Sequence, residues 1–306
     1  MEMELEFLER SPERVRFVLS GVSAGFANSL RRAMIAEVPK LAIDEVEIHE
    51  NSSLLYDEQL ALRLALIPLK VSPSDLRNFV PAEECECGGE GCEKCEAKLR
   101  LEAVSPETEG SITVYSRDLE SLDSRVRVAY ENIPIVKLFS KAREVGTFRD
   151  IARQRISLVA KARLGTGKKH AKWQPVTACG FKNMPKIEIS DACNGCGRCV
   201  DACPRNILSV ERGVAVVSAA VNECSLCKLC EDACEEKAIR VSASEDAFVF
   251  FVESDGSLPV DEIVASAARI MQKKCEDFIA EIERIGEEGA NVEESEEGMS
   301  EWGRSR

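Results

Sequence analysis

Two runs of four cysteines constrain this 306-residue chain more than any other feature. Cys193-x2-Cys196-x2-Cys199-x3-Cys203 is followed 31 residues later by Cys224-x2-Cys227-x2-Cys230-x3-Cys234, and Ile207-Leu208 and Ala238-Ile239 occupy matching places in the repeat. Thiols this close in a long chain that opens Met-Glu-Met-Glu-Leu-Glu, with no export signal, bind metal rather than form disulfides. The spacing is that of cubane iron–sulfur clusters, in which three cysteines curl around one face and the fourth, on the following helix, reaches the other cluster. Cluster one is therefore expected on Cys193, Cys196, Cys199 and Cys234, and cluster two on Cys224, Cys227, Cys230 and Cys203. The second run departs in one place, with Cys234-Glu235 where the first has Cys203-Pro204. Loss of the proline is expected to act on the helix start and on solvent access there.

Twelve of the fourteen cysteines fall into three groups, and Cys179 and Cys275 stand apart. The third group is Cys85-x-Cys87-x4-Cys92-x2-Cys95, with Gly88, Gly89 and Gly91 inside it. Glycines permit the tight turn that points four sulfurs inward, and four thiolates suit a closed, tetrahedral, structural zinc. With only His49 and His170 in the chain, a histidine-based triad or a histidine-rich metal site is not expected.

Gly165-Thr166-Gly167-Lys168 is a poor phosphate loop. A Walker motif needs glycine where Ala162 stands and Ser or Thr where Lys169 stands. The basic run Lys168-Lys169-His170-Ala171-Lys172 reads as a solvated turn. The formal charge of −14 argues against this chain wrapping nucleic acid, although nine Glu against three Arg after residue 280 account for much of it. No apolar run approaches the ~18 residues of a membrane helix, so a cytoplasmic, membrane-free protein is expected.

The periodicity is mixed. Met3, Leu5 and Phe7 alternate with glutamates, Ser11-Pro12-Glu13 turns the chain, and Val15, Phe17 and Leu19 alternate again, which predicts a hairpin. From Ser23 the period becomes helical through Phe26, Leu30, Ala33 and Met34, ending at Val38-Pro39. A short helix is predicted from Asp57 to Ile67. Strands are predicted around Leu99–Ala103, Ile156–Ala162 and Phe248–Val252. A last helix from about Pro259 to Ile285 carries Val264, Ala267, Met271, Cys275, Phe278, Ile282 and Ile285 in a narrow seam, suited to its own core or to a second chain. The Glu-rich segment after Gly286 is expected to be disordered.

Gly25-Phe26-Ala27-Asn28-Ser29-Leu30-Arg31-Arg32-Ala33-Met34 continues to Val38-Pro39 and Ala42-Ile43-Asp44-Glu45-Val46-Glu47-Ile48. With Arg63-Leu64-Ala65-Leu66-Ile67-Pro68-Leu69, Gly167-Lys168-Lys169-His170-Ala171-Lys172-Trp173-Gln174-Pro175 and Glu253-Ser254-Asp255-Gly256, this resembles the alpha-like subunit of RNA polymerase. More narrowly it resembles the archaeal form of that subunit, the counterpart of the bacterial alpha amino-terminal domain and of a eukaryotic subunit.

The resemblance implies an α+β chain. Residues 1–40 and 244–285 would form the alpha-like dimerisation domain, and 41–175 an inserted mostly-β domain. Residues 176–243 would form an inserted ferredoxin-like domain with two 4Fe-4S clusters, followed by a disordered acidic tail over 286–306. It implies no catalytic residue on this chain. Expected partners are a smaller alpha-like subunit L, the small subunits N and P and the large catalytic subunits, with no sequence-specific DNA contact. Phe26, Leu30, Arg31, Arg32, Met34, Val264, Met271, Phe278 and Ile282 would lie at the interface with L. The cysteine runs taken alone suggest a second possibility, a ferredoxin-type electron-transfer subunit of an oxidoreductase.

Overall fold

The computed structural model describes the backbone of residues 2–145, 148–217 and 221–301, and side chains within these except at 144–145, 148–149 and 286–301. The opening hairpin joins β1 (Glu4–Arg10) to β2 (Arg14–Ser20), and the Ser11 hydroxyl accepts the Arg14 N–H at 3.0 Å to close the turn. Val15, Phe17 and Leu19 point into a core, as their alternation predicts. β1 differs: Met3, Leu5 and Phe7 stay about half exposed, so among the described residues its apolar face is only partly covered. Helix α1 (Ala24–Ala36) begins where the Ser23 hydroxyl accepts the Phe26 N–H, relieving an unpaired donor of the first turn.

The insert begins with β3 (Lys40–Asn51), α2 (Asp57–Ala65), β4 (Leu69–Val71) and α3 (Pro73–Leu76). It continues through β5 (Glu96–Val104), β6 (Gly110–Tyr115), β7 (Leu119–Ser121) and β8 (Val126–Val128) to β9 (Pro134–Val145), β10 (Phe148–Arg153) and β11 (Arg155–Gly165). Its main sheet has the order β3-β11-β5-β7, beside a β10-β9-β6 sheet and a β4-β8 pair. Leu158 and Ala160 of β11 lie opposite Leu101 and Leu99 of β5, and all four are fully buried. One residue of slip would turn all of these into solvent, so burial fixes the register. α2 places Leu60 and Leu64 in the same core.

β12 (Val176–Ile189) leads into the cysteine-rich module, which contains α4 (Arg198–Asp201), β13 (Leu208–Glu211), β14 (Val214–Val217) and α5 (Leu229–Asp232). β15 (Ile239–Ser254) leads out of it, and α6 (Val260–Glu301) ends the described chain. The order β1-β2-β15-β12, antiparallel throughout, forms the sheet on which α1 and the start of α6 lie. β12 and β15 pair from Val176–Ser254 to Ile189–Ile239 and so run through two bodies, with a shift of register at Asn183/Pro185, where proline has no N–H for the ladder. The domain boundary expected at residue 176 is the first residue of β12, and the one expected at 243 falls inside β15. Residues 176–183 pair as part of the first sheet.

Two further expectations change. α6 continues as helix to Glu301 where a disordered tail is expected after Gly286; the Glu and Ala of this stretch are strong helix formers even with no apolar face to bury. Leu30 and Met34, expected at the interface, are buried in their own core, Met34 completely. Their i, i+4 stripe is satisfied by the sheet beneath. Lys40, at the junction of dimerisation body and insert, forms a nearly buried ion pair with Asp255 and also donates to the Gln174 carbonyl at 3.3 Å.

Phe17 of β2 and Phe250 of β15 stack with centroids 4.9 Å apart and planes 5° from parallel, both sealed from water. Phe250→Ala is expected to cost about 3–5 kcal/mol by transfer and cavity terms. Thermal melting of the purified protein checks it; a melting point within a degree of the parent would show that this stack does not hold the sheet together.

Candidate metal centres and dimerisation face

The loop between α3 and β5 brings four sulfurs together. Cys85 and Cys92 lie 3.5 Å apart, Cys87 and Cys95 3.6 Å, and Cys92 and Cys95 3.7 Å. A tetrahedron of sulfurs about 2.3 Å from a zinc ion has edges of about 3.8 Å, so this spacing is that of ligands to one metal. Among the described residues this group has all four ligand atoms within 4.8 Å of one another. Gly88, Gly89 and Gly91 all sit at positive φ, the tight backbone that lets residues so near in sequence converge. The Gly91 N–H, with Cys85 and Gly89, pulls the Cys87 thiol down to about 6, whereas burial pushes Cys95 up to about 12.

Glu96, which follows the last of these cysteines, was not legible as a functional residue in the sequence. Its side chain is only 2% exposed and accepts from Arg163 of β11 at 2.9 and 3.2 Å. Arg163 also reaches Glu45 at 3.1 Å and Asp44 at 3.8 Å on β3. Glu96 opens β5 and lies opposite Arg163 in the β5–β11 ladder, so this is a cross-strand pair of the main sheet at the point where the cysteine loop enters it. The basic run is an exposed turn from Lys168 to Ala171, as expected, with two of its lysines paired. Lys169 pairs with Glu83 at 2.6 Å and Lys172 with Asp44 at 2.6 Å, and both ammonium groups lie over Trp173. A Cβ on Gly165 would meet the Trp173 ring at 2.4 Å, and one on Gly167 the Ile35 carbonyl at 2.3 Å. Close approach explains both glycines without a phosphate.

In the cysteine module, Cys193, Cys196, Cys199 and Cys234 line one cavity, and Cys203, Cys224, Cys227 and Cys230 line another. Backbone N–H groups of Ala215, Leu226 and Ala238 donate to the sulfurs of Cys193, Cys224 and Cys234 at 3.3, 3.4 and 3.3 Å. Such bonds favour thiolates, so the donor set fits anionic sulfur ligands. A Cβ on Gly195 would lie 2.3 Å from the Gly213 carbonyl, which seats the first loop against the β13–β14 turn. Glu235, in the place of the missing proline, forms an ion pair with Arg198 of α4.

Of the two lone cysteines, Cys179 is partly covered at the Arg31 carbonyl, 3.9 Å away, and burial pushes its thiol up to about 11. Cys275 is exposed on α6.

The α6 seam divides in two. Val260, Ile263 and Ala267 are buried, and Val264 and Met271 pack partly on the same core. Lys274 pairs with Glu37 at the end of α1 at 2.6 Å. Every residue from Gln272 to Ile285 is exposed, including Phe278 at 67% and Ile282 at 54%. Phe26, at the edge of α1, and Arg32 are exposed as well, and Arg31 is half-buried. Among the described residues no helix is long and apolar enough to cross a membrane.

Residues 16–275 match the family model of the RNA polymerase Rpb3/Rpb11 dimerisation domain. The chain belongs to this family. It is 45% identical over 287 residues to the DNA-directed RNA polymerase subunit Rpo3 of Methanosarcina acetivorans, covering 93% of this chain and all of that one. It is 42% identical over 285 residues to Rpo3 of Archaeoglobus fulgidus, again 93% of this chain and all of the relative. For Rpo3 of Pyrococcus horikoshii the identity is 37% over 284 residues, 92% of this chain and 99% of that one. The family is one of non-catalytic subunits of a nucleotidyltransferase complex, which partner with other polymerase subunits.

The Glu96–Arg163 pair yields a measurable expectation. Glu96→Ala is expected to destabilise the chain by about 2 kcal/mol. That is below the ~3–5 of a sealed pair, because Arg163 keeps a fifth of its side chain in water and retains Asp44 and Glu45. Urea melts compare the two proteins; an unchanged midpoint would mean the pair is incidental.

Proposed function

We propose that this chain is the assembly platform of an archaeal-type DNA-directed RNA polymerase. It pairs with a smaller alpha-like subunit, L, and the pair supports the small subunits N and P and the large catalytic subunits. The observation that carries this is the exposed row Phe278, Ile279, Ile282 and Ile285 on α6, in a chain of the Rpb3/Rpb11 dimerisation family. A helix that leaves its own body with large apolar side chains in water is short of a partner. β1, with Met3, Leu5 and Phe7 half exposed, and Phe26 of α1 extend the apolar area left exposed among the described residues. Val264 and Met271 anchor the helix on its own core, and Phe278 and Ile282 reach the partner. Arg31 and Arg32 flank the face.

The two module cavities fit one 4Fe-4S cluster each, held by Cys193, Cys196, Cys199 and Cys234 and by Cys203, Cys224, Cys227 and Cys230. Bound clusters would supply cross-links to a module too small to hold itself together, and a means of responding to redox conditions. Cys85, Cys87, Cys92 and Cys95 would hold a structural zinc with no open position. The family match spans the cysteine module, which counts against a ferredoxin-type electron-transfer subunit.

The pairing is tested by Phe278→Asp with Ile282→Asp, co-expressed with the small alpha-like subunit. Both side chains are already in water, so the fold is expected to survive while affinity for the partner falls at least a hundredfold. An undiminished heterodimer on size-exclusion chromatography would refute the assignment of this face. The cluster reading has a separate test. Anaerobically purified complex is expected to hold eight irons per chain. Cys196→Ser and Cys227→Ser are each expected to retain four and to lower the yield of assembled polymerase, whereas full yield from both would refute a structural role.

A further inference from the structure

The described non-glycine residues at positive φ are Asn206, Arg212, Leu226, Lys228 and Lys237, all within the cysteine module. Arg212 belongs to the two-residue Arg212-Gly213 turn of the β13–β14 hairpin, where positive φ at both positions is the rule. The other four follow the 31-residue repeat. Gly195 at φ +69 corresponds to Leu226 at +58, Gly197 at +79 to Lys228 at +63, and Asn206 at +52 to Lys237 at +49. The halves therefore share one backbone path but not one sequence for it. The first uses glycine twice and asparagine once, the residues that tolerate this region, and the second uses leucine and two lysines, whose Cβ crowds the following carbonyl.

We infer that the module is graded: half two holds its cluster less tightly than half one and is the first to empty. This rests on the reading of the eight cysteines as ligands of two clusters. Ligation forces both halves into the same left-handed turns. Leu226 and Lys228 lie among the ligands of the second cluster, so when that cluster leaves they relax out of strained conformations, whereas Gly195 and Gly197 at the first gain nothing comparable. Lys237 follows Cys234, a ligand of the first cluster, and counts in the other direction. Half two also makes two side-chain contacts to the dimerisation sheet. Glu223, beside Cys224, pairs with Arg16 of β2 at 2.6 Å, and Lys182 of β12 donates to the Cys224 carbonyl at 2.7 Å. Emptying half two frees the segment those two contacts hold, so its loss is the one felt at the sheet. Ligand exposure alone gives the opposite order, because Cys203 and Cys224 are buried while Cys193 and Cys234 are partly open.

The test is anaerobic iron release from the intact heterodimer to an excess of chelator, with Cys196→Ser and Cys227→Ser complexes identifying the phases. The parent is expected to lose four irons early, from half two, and four late. Lys228 is exposed, so Lys228→Gly removes strain without removing packing and is expected to prolong retention of the early cluster about tenfold, equivalent to about 1.4 kcal/mol. Lys228→Ala, which deletes the charge but keeps the Cβ, is expected to leave it unchanged. A Cβ at Gly197 meets no atom within 4 Å, so Gly197→Lys adds strain without a clash and is expected to hasten loss from half one by a similar factor. Cys227→Ser is expected to lower the melting point of the heterodimer more than Cys196→Ser. Eight irons leaving in one phase, or half one emptying first, with Lys228→Gly and Lys228→Ala alike, would overturn the grading and leave the cluster reading standing. Equal melting points would overturn the link to the sheet. A complex that never holds eight irons would overturn the cluster reading and the grading together.

Discussion

The ladder between β12 and β15 is the constraint on which the rest depends. These strands pair over almost their whole length, with one end in the sheet that carries α1 and α6 and the other in the cysteine module. Cys179, Phe181, Phe248 and Phe250 serve the first core, and Ile187, Ile189, Ile239 and Val241 serve the second. A backbone ladder on both sides of one register shift makes the module an extension of the sheet rather than a bead on a linker. A displacement of the cysteine loops is therefore felt along the strands that also position α6. The shift of register at Pro185 is where the two bodies meet, because proline interrupts the ladder without ending it.

The second junction is electrostatic. Lys40 leaves α1 for the insert and Asp255 leaves β15 for α6, so their buried ion pair fastens the entry of one domain to the exit of another. Removing one partner from such a site strands a charge out of water, which makes the pair a stringent test of correct docking whether or not it adds net stability. Glu96 and Arg163 pair across two strands of one sheet, where the cysteine loop enters it. In both places a charge that would be solvated in a single element becomes informative only where two elements meet.

That difference explains what could be read from the sequence. Val15, Phe17 and Leu19, Leu99 and Leu101, Ile156 to Ala162 and Phe248 to Val252 were legible because a half-buried strand writes its period into the chain, and Ser23 and Pro39 mark both ends of α1. The four sulfurs of residues 85–95 were legible because all their ligands are local. Leu30 and Met34 lie in the chain's own core although an interface was expected for them, since an amphipathic stripe records that a face is covered but not by what. The same ambiguity hid the division of the α6 seam, whose apolar spacing is unbroken although Ala267 is sealed and Ile282 lies in water. Glu96, Arg163 and the acids that hold Lys169 and Lys172 carry no periodic signal, because their partners are distant in the chain.

The module's own core makes the sharper point. Cys199, Cys203, Cys224 and Cys230 are themselves among its buried residues, with Ile207, Leu208, Ala215, Ile239 and Val241 around them. So few aliphatic side chains cannot offset the conformational entropy of some sixty ordered residues, and a segment of this size ordinarily needs disulfides or metal. The thiols stand where the missing hydrophobic side chains would be. In the two-cluster reading the fourth ligand of each half, Cys203 or Cys234, crosses to the other, so neither half can close alone. Stability is then shared between the β12–β15 ladder, which is always present, and the sulfur ligands, which hold only while they are occupied. In that reading the permanent constraint lies in the sheet and the conditional one at the far end of the same strands.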